Sequence, residues 1–297
     1  MRRGMSGPTI YGEAALHVLT SVRPAATVNL GMVEVAVGGP AAVVSLQLAR
    51  LGHGSRFVGV LGDDWSGRFI EDTLESAGVD CAGTVRAGRT PRIVAAVAHG
   101  EVELAADVNG GVMALRVGDQ LPLPAPGPAY ITGFPNLVPV IRYLAERGHR
   151  LVVDVGFIPL LSHPDKLLAH VRSVADAIDV AVISGAALEP QYREAIAETC
   201  LAAGATAALT TLAGDGVVVT TVDGVCQLPA YAVDPVDPLC AGDAFVAGFL
   251  AGRLEGLDVT AAAGFGQAVA AVKLTQFARL PTRSEVDEFL DGIGRPC

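Results

Sequence analysis

The stretch Asp237-Pro238-Leu239-Cys240-Ala241-Gly242-Asp243-Ala244-Phe245 runs from a loop of small residues into a helix. Phe245, Phe249, Leu250 and Leu254 recur at helical spacing, so the backbone N–H groups of Ala241, Gly242 and Asp243 should lie in a first helical turn with no carbonyl to bond. Free donors at the positive end of a helix dipole attract anions. A carboxylate beside such an anion hole repels phosphate, so Asp243 is better suited to act on the group that receives a phosphoryl than on a nucleotide. It reads as a general base. A lone Gly-Asp pair at a helix start would equally be ordinary capping, and only a longer pattern separates the two readings.

That pattern exists. The loop resembles the C-terminal signature of the PfkB/ribokinase-like carbohydrate kinases, roughly Asp-Thr-Thr-Gly-Ala-Gly-Asp with the last Asp as catalytic base. Asp237, Ala241, Gly242 and Asp243 keep the pattern, whereas Pro238, Leu239 and Cys240 replace Thr, Thr and the first Gly. Two further stretches support the resemblance. Gly38-Gly39-Pro40-Ala41-Ala42-Val43, continuing to Leu51-Gly52, is similar to the family's Gly-Gly motif and its helix, followed by Gly59-Val60-Leu61-Gly62-Asp63-Asp64. Thr211-Leu212-Ala213-Gly214-Asp215-Gly216 resembles the segment beneath the nucleotide phosphates.

The resemblance implies an ATP- and Mg2+-dependent kinase with Asp243 as base and Cys240, Ala241 and Gly242 in the anion hole. It further implies Thr211, Gly214, Gly216 and Gln267 on the nucleotide side, and His17, Gly38, Gly39 and the position of Val43 on the substrate side. The substrate wall departs from the family. Its Gly-Glu-x-x-x-Asp becomes Gly12-Glu13-Ala14-Ala15-Leu16-His17, and its Asn four residues after the Gly pair becomes Val43. The Asp-x-Asn-x-Arg and Asn-x-x-Glu motifs are represented by Asp154-Val155-Gly156-Phe157-Ile158 and Ser184-Gly185-Ala186-Ala187. Neutral imidazole offers one donor and one acceptor and valine none, so polyol binding is reduced. A sugar-like or nucleoside-like substrate with fewer free hydroxyls is expected. The rival reading is a catalytically weak relative that binds a metabolite or nucleotide as a sensor or partner subunit. Asp243 favours the enzyme; His17, Val43 and Ala187 favour the rival.

Composition narrows the partners. A chain of 297 residues with 51% hydrophobic residues can bury a large core. Its net charge of −10, without a basic cluster, argues against nucleic acid or an anionic membrane as partner. Cys81, Cys200, Cys226, Cys240 and Cys297 are odd in number and widely spaced, which suits reduced thiols in a cytoplasm. No apolar stretch reaches about 18 residues. His53, His149, His163 and His170 lack ligand spacing and read as surface residues, so no protein metal cage is expected. Lys166 and Lys273, the only lysines, stand outside any Gly-x-x-x-x-Gly-Lys context.

Strand-like and helix-like runs alternate, which predicts an α/β fold: a doubly wound, mostly parallel sheet with helices on both faces. Strands are expected over residues 9–16, 56–61, 129–132, 150–155, 180–184 and 207–211, with hairpins over 93–105 and 216–228. Helices are expected over 40–51, 65–77, 242–253, 260–275 and 283–290. Segments 27–37 and 93–105 are expected to pair with each other as a small β lid, which could also join two copies into a homodimer. This divides the chain into a core of residues 7–19, 38–90 and 108–297 and a lid of residues 20–37 and 91–107.

Overall fold

The computed structural model describes residues 7–21, 33–107, 125–156 and 158–293. In chain order the elements are β1 (Thr9–Tyr11), β2 (Ala15–Ser21), β3 (Val33–Gly38), α1 (Pro40–Arg50), β4 (Arg56–Val58), β5 (Val60–Leu61), α2 (Trp65–Ser76), β6 (Val85–Arg86), β7 (Arg92–Ala98) and β8 (Glu101–Asp107). They continue with β9 (Pro128–Thr132), α3 (Val138–Ala145), β10 (Arg150–Asp154), α4 (Ile158–Leu161), α5 (Pro164–Arg172), β11 (Val180–Ser184), α6 (Pro190–Ala202), β12 (Ala207–Thr211), β13 (Val217–Thr221) and β14 (Gly224–Leu228). The helices α7 (Ala241–Leu254), α8 (Val259–Leu274) and α9 (Arg283–Ile293) close the described chain.

The main sheet has the order β14-β13-β12-β11-β10-β9-β1-β4. It is parallel from β4 to β12, and the β13–β14 hairpin adds an antiparallel edge. Successive strand residues point to opposite faces, so each parallel strand must be apolar throughout when both faces are covered. Ile10, Tyr130, Val152, Val182 and Leu209 enter one core with residues of α1, α2, α7 and α8. Their neighbours Tyr11, Ile131, Val153, Ile183 and Ala208 enter the other with residues of α3, α5 and α6. Phe245 and Phe249 are almost wholly buried, each contributing roughly 1.5–3 kcal/mol. Helices α7 and α8 pack closely: a Cβ on Gly248 would lie 2.8 Å from the Gly266 Cα.

The expected strand over 9–16 is two strands in different sheets. Chain geometry changes at Gly12, whose φ of 142° suits glycine, and the chain leaves β1 for β2. Residues 15–19 therefore belong to the small sheet rather than the core. That sheet has the order β3-β2-β7-β8. Segments 33–37 and 93–105 share it but do not pair with each other, because β2 lies between them, antiparallel to β3 and parallel to β7. Alternation within each segment does not reveal a strand inserted between them. Residues 27–32, Pro-rich 121–124 and Cys297 lie outside the described residues.

Candidate active site

The loop that opens α7 is anchored from behind. Asp237 is fully buried; its Oδ1 accepts the Leu239 N–H at 3.0 Å, and its Oδ2 accepts Lys273 Nζ at 3.0 Å and the Ala278 N–H at 2.9 Å. The Val236 and Asp237 N–H groups donate to the Leu274 carbonyl. Three residues on, Cys240 adopts the left-handed conformation, φ 61° and ψ 13°, and its carbonyl accepts the Ala244 N–H that begins the helical ladder. For a residue with a Cβ this conformation costs about 1 kcal/mol. The Ala241 N–H reaches back to Pro238 at 3.3 Å. The N–H groups of Gly242 and Asp243 have no earlier helical carbonyl to bond, and a Cβ on Gly242 would meet nothing within 4 Å. Among the described residues, these two first-turn N–H groups thus have no backbone acceptor.

Cross-strand register brings carboxylates to the same end. Asp154 lies opposite Thr132 at the carboxyl ends of β10 and β9, where ligands of open α/β sheets bind. Burial, then the charge of Asp154, raises Asp243 to about 7, while a hydrogen bond from the Cys240 thiol opposes the rise. Burial raises Asp154 to about 6 against the Gly156 N–H at 2.8 Å. Both side chains are enclosed by protein yet keep an opening to solvent. Glu13, from the turn after β1, is raised to about 7 by burial and accepts a 2.8 Å hydrogen bond from Thr132 Oγ1, while its Oε1 has no protein partner among the described residues. The fully buried Tyr130 phenol is held well above its usual value, chiefly by burial and then by Asp154, Asp243 and Glu13. All three carboxyls thus act on one buried group. Burial, joined at Asp243 by the charge of Asp154, favours the protonated carboxyls, so this site is poised to take up protons near neutrality.

Among the residues expected on the substrate side, the His17 ring lies across Gly38, where an added Cβ would fall 2.0 Å from its Cδ2. Gly39 has φ 81° against the Ala14 backbone, and Pro40 begins α1. Burial, partly countered by the Asp237 charge, lowers His17 to about 4, so the imidazole is neutral at pH 7. Its Nδ1 is 3.9 Å from Cys240 Sγ, and burial holds that thiol well above its usual value. A cavity of ≈ 190 Å³ adjoins His17 and Cys240, lined also by Leu19, Val37, Leu46 and Phe69. Neither Asp243 nor Val43 lines it; Val43 is fully buried.

The residues expected on the nucleotide side converge at the far edge. Gln267 Nε2 donates to the Leu228 carbonyl at 3.2 Å, and a Cβ on Gly216 would lie 2.0 Å from the same oxygen. Gly214 faces open space, and Thr211 Oγ1 donates to the Ile183 carbonyl at 3.3 Å.

Sequence reasoning missed Lys273 and Thr132. The available signal for Lys273 was the single charge within α8. His149 also differs from its expected surface position: it is 6% exposed and packs edge-on against Tyr11. Among the described residues, Cys81, Cys200, Cys226 and Cys240 are free thiols. No described helix is long and apolar enough to cross a membrane.

Known proteins resemble this chain in sequence and fold. Residues 10–116 and 160–280 match the profile of the pfkB family carbohydrate kinases. The ATP-dependent ribose-1-phosphate kinase of Halopiger xanaduensis is 30% identical over 85% of this chain and 86% of its own length. The aminoimidazole riboside kinase of Salmonella typhimurium is 30% identical over 72% of each chain. Among solved structures, a candidate ribokinase II of E. coli in complex with ATP and Mg2+ superposes with a TM-score of 0.80 at 18% identity, covering 97% of this chain and all of the other.

Proposed function

The chain belongs to the pfkB family of carbohydrate kinases, and from that membership we propose that it transfers the γ-phosphoryl group of ATP to a hydroxyl of a small sugar-like or nucleoside-like molecule, with Asp243 as base. The observation that carries this reading is the conjunction of unpaired first-turn donors on α7 with a carboxylate raised to about 7 in the same turn. Asp243 takes the hydroxyl proton as the oxygen attacks phosphorus; the new O–P bond forms as the bond to the ADP oxygen breaks. The N–H groups of Gly242 and Asp243 are suited to stabilise charge on the transferred group, whereas that of Ala241, expected to be free, already donates to the Pro238 carbonyl.

Mg2+ supplies charge neutralisation between phosphates. No group of three or more His, Cys, Asp or Glu among the described residues is placed to cage a cation. The protein thus fits a metal that arrives with the nucleotide. Gly214, Gly216, Thr211 and Gln267 are proposed to line the nucleotide side. His17, Gly38 and Gly39 are proposed to shape the substrate side.

A neutral His17 beside a largely apolar cavity favours an acceptor with an apolar or aromatic portion over a bare polyol. The relationship to an aminoimidazole riboside kinase supports this preference. The small sheet is proposed to close over the acceptor as a lid. Its edge strand β3 exposes Val33 and Val35, and an unpaired strand edge is a template for a second copy. The free thiols suit a reducing, cytoplasmic setting.

Asp243→Asn tests the assignment. It should leave ATP binding close to unchanged and lower turnover by roughly 10²–10⁴-fold; wild-type turnover in the variant would reject Asp243 as base.

A further inference from the structure

The chain has two lysines; Lys166 is exposed, whereas Lys273 is 2% exposed near the end of α8. Its ammonium donates to three oxygens: Asp237 Oδ2 at 3.0 Å, the Asp237 carbonyl at 3.0 Å and the Gln276 carbonyl at 3.2 Å. A carboxylate and two main-chain carbonyls around one positive charge form an oxygen cage for a monovalent cation. Here that cation is covalently attached to the chain. The cage is also part of the phosphoryl-transfer loop, because Asp237 begins the run that turns at Cys240 and ends in the donors of α7. The same carboxylate fixes Leu239 and Ala278.

We propose that the Lys273 ammonium serves as a built-in monovalent cation that positions the 237–243 loop, and that removing it creates a binding site for a free potassium or ammonium ion. Lys273 is a positioning residue: it holds the loop that holds the anion. The proposal rests on the kinase reading for its effect on turnover, but its ion-binding part stands on the cage alone. Two properties follow. The unaltered protein is indifferent to the identity of the alkali ion, because the cage is filled. Lys273→Ala leaves a buried carboxylate and two carbonyls beside the His17 cavity, whose lining includes Asp237, Lys273 and Ala278. An ion can reach them from there.

The experiment compares wild type, Lys273→Ala and Lys273→Met in potassium, ammonium, sodium or choline chloride at equal ionic strength. One readout is the thermal midpoint. The other is ATP consumption with ribose or a purine nucleoside as acceptor. For Lys273→Ala, potassium or ammonium should raise the midpoint by about 2 °C or more over choline and restore turnover by about tenfold or more. Lys273→Met fills the space with an apolar stem and should show neither response. Wild type should differ less than about twofold among the salts.

A midpoint response without turnover in any form supports the cage and counts against the kinase reading. Turnover in wild type with no selective cation response in Lys273→Ala keeps the kinase and overturns the proposal, as does an equal response in Lys273→Met. If Lys273→Ala does not fold in potassium chloride, the wild-type series decides: salt indifference supports the proposal, and a requirement for potassium overturns it.

Discussion

Replacing Asp154 by Asn should move the pH dependence of this enzyme to lower pH. Asp243 is held near 7 by burial and, next, by the negative charge of Asp154. If Asp243 must be ionised to accept the hydroxyl proton, kcat/KM rises with pH through a limb near 7. The amide of Asn can still accept the Gly156 N–H that now reaches Asp154 Oδ1, so the loop geometry is preserved while the charge is lost. At an effective dielectric of about 20, a unit charge even about 10 Å away is worth about 1.7 kcal/mol, a little over one pKa unit. Removing a like charge favours the carboxylate, which lowers the limb towards about 6. At pH 6 the ionised fraction then rises from about 0.09 to about 0.5, a gain of about fivefold in kcat/KM. Above pH 8 the variant should gain nothing and lose modestly, because a more acidic carboxyl is a weaker base. The assay is initial-rate kinetics from pH 5 to 9 in a buffer series of constant ionic strength. A limb that stays in place or moves to higher pH refutes the coupling, and a wild-type profile flat across this range refutes the ionisation requirement itself.

The ligand-free protein should lose stability as pH rises from about 5 to about 7, read as a falling thermal midpoint. Glu13, Asp154 and Asp243 have folded values raised to about 7, 6 and 7, so the folded state binds more protons than the unfolded one across that window; His17, lowered to about 4, opposes them as a single group. A midpoint that climbs over the window would contradict these environments. Gly38→Ala should cost roughly 1–3 kcal/mol by driving a Cβ into the His17 ring, and much of that cost should vanish in the His17→Ala background; additive effects in a double-mutant cycle would show that ring and glycine do not compete for the same space. Light scattering should detect a dimer that a Val33→Lys, Val35→Lys variant loses while retaining its fold, whereas a wild-type monomer at all concentrations excludes association through the lid.

The main sheet was legible because its signal is local. Residues 180–184 and 207–211 are short apolar runs between helical patterns, and they coincide with β11 and β12. The hairpin around Asp223-Gly224 was readable for the same reason, as was the helix after Asp243. The small sheet was only half legible: alternation marks its strands but does not say that β2 separates β3 from β7, a relation fixed by pairing between distant segments. At the site, the small-residue loop pointed to Asp243 from sequence. The partnership of Asp237 with Lys273 did not, since the two residues are 36 positions apart and meet only when α8 folds back along α7. Glu13 was visible as part of a motif, but its contact with Thr132 depends on β1 lying beside β9.

The packing of α1 against α7 has a consequence for the order in which the chain can become active during synthesis. Ala41, Ala42, Val44 and Leu48 of α1 enter the same core as Phe245, Phe249 and Leu250 of α7, which are made some two hundred residues later. Until the ribosome has released α7 and α8, that face of the growing sheet has only α1 and α2 for cover. A nascent chain stopped before residue 241 has neither a sealed core nor Asp243. On the proposed mechanism, phosphoryl transfer therefore cannot begin on a half-made protein: the segment that finishes the core is the same one that carries Asp243.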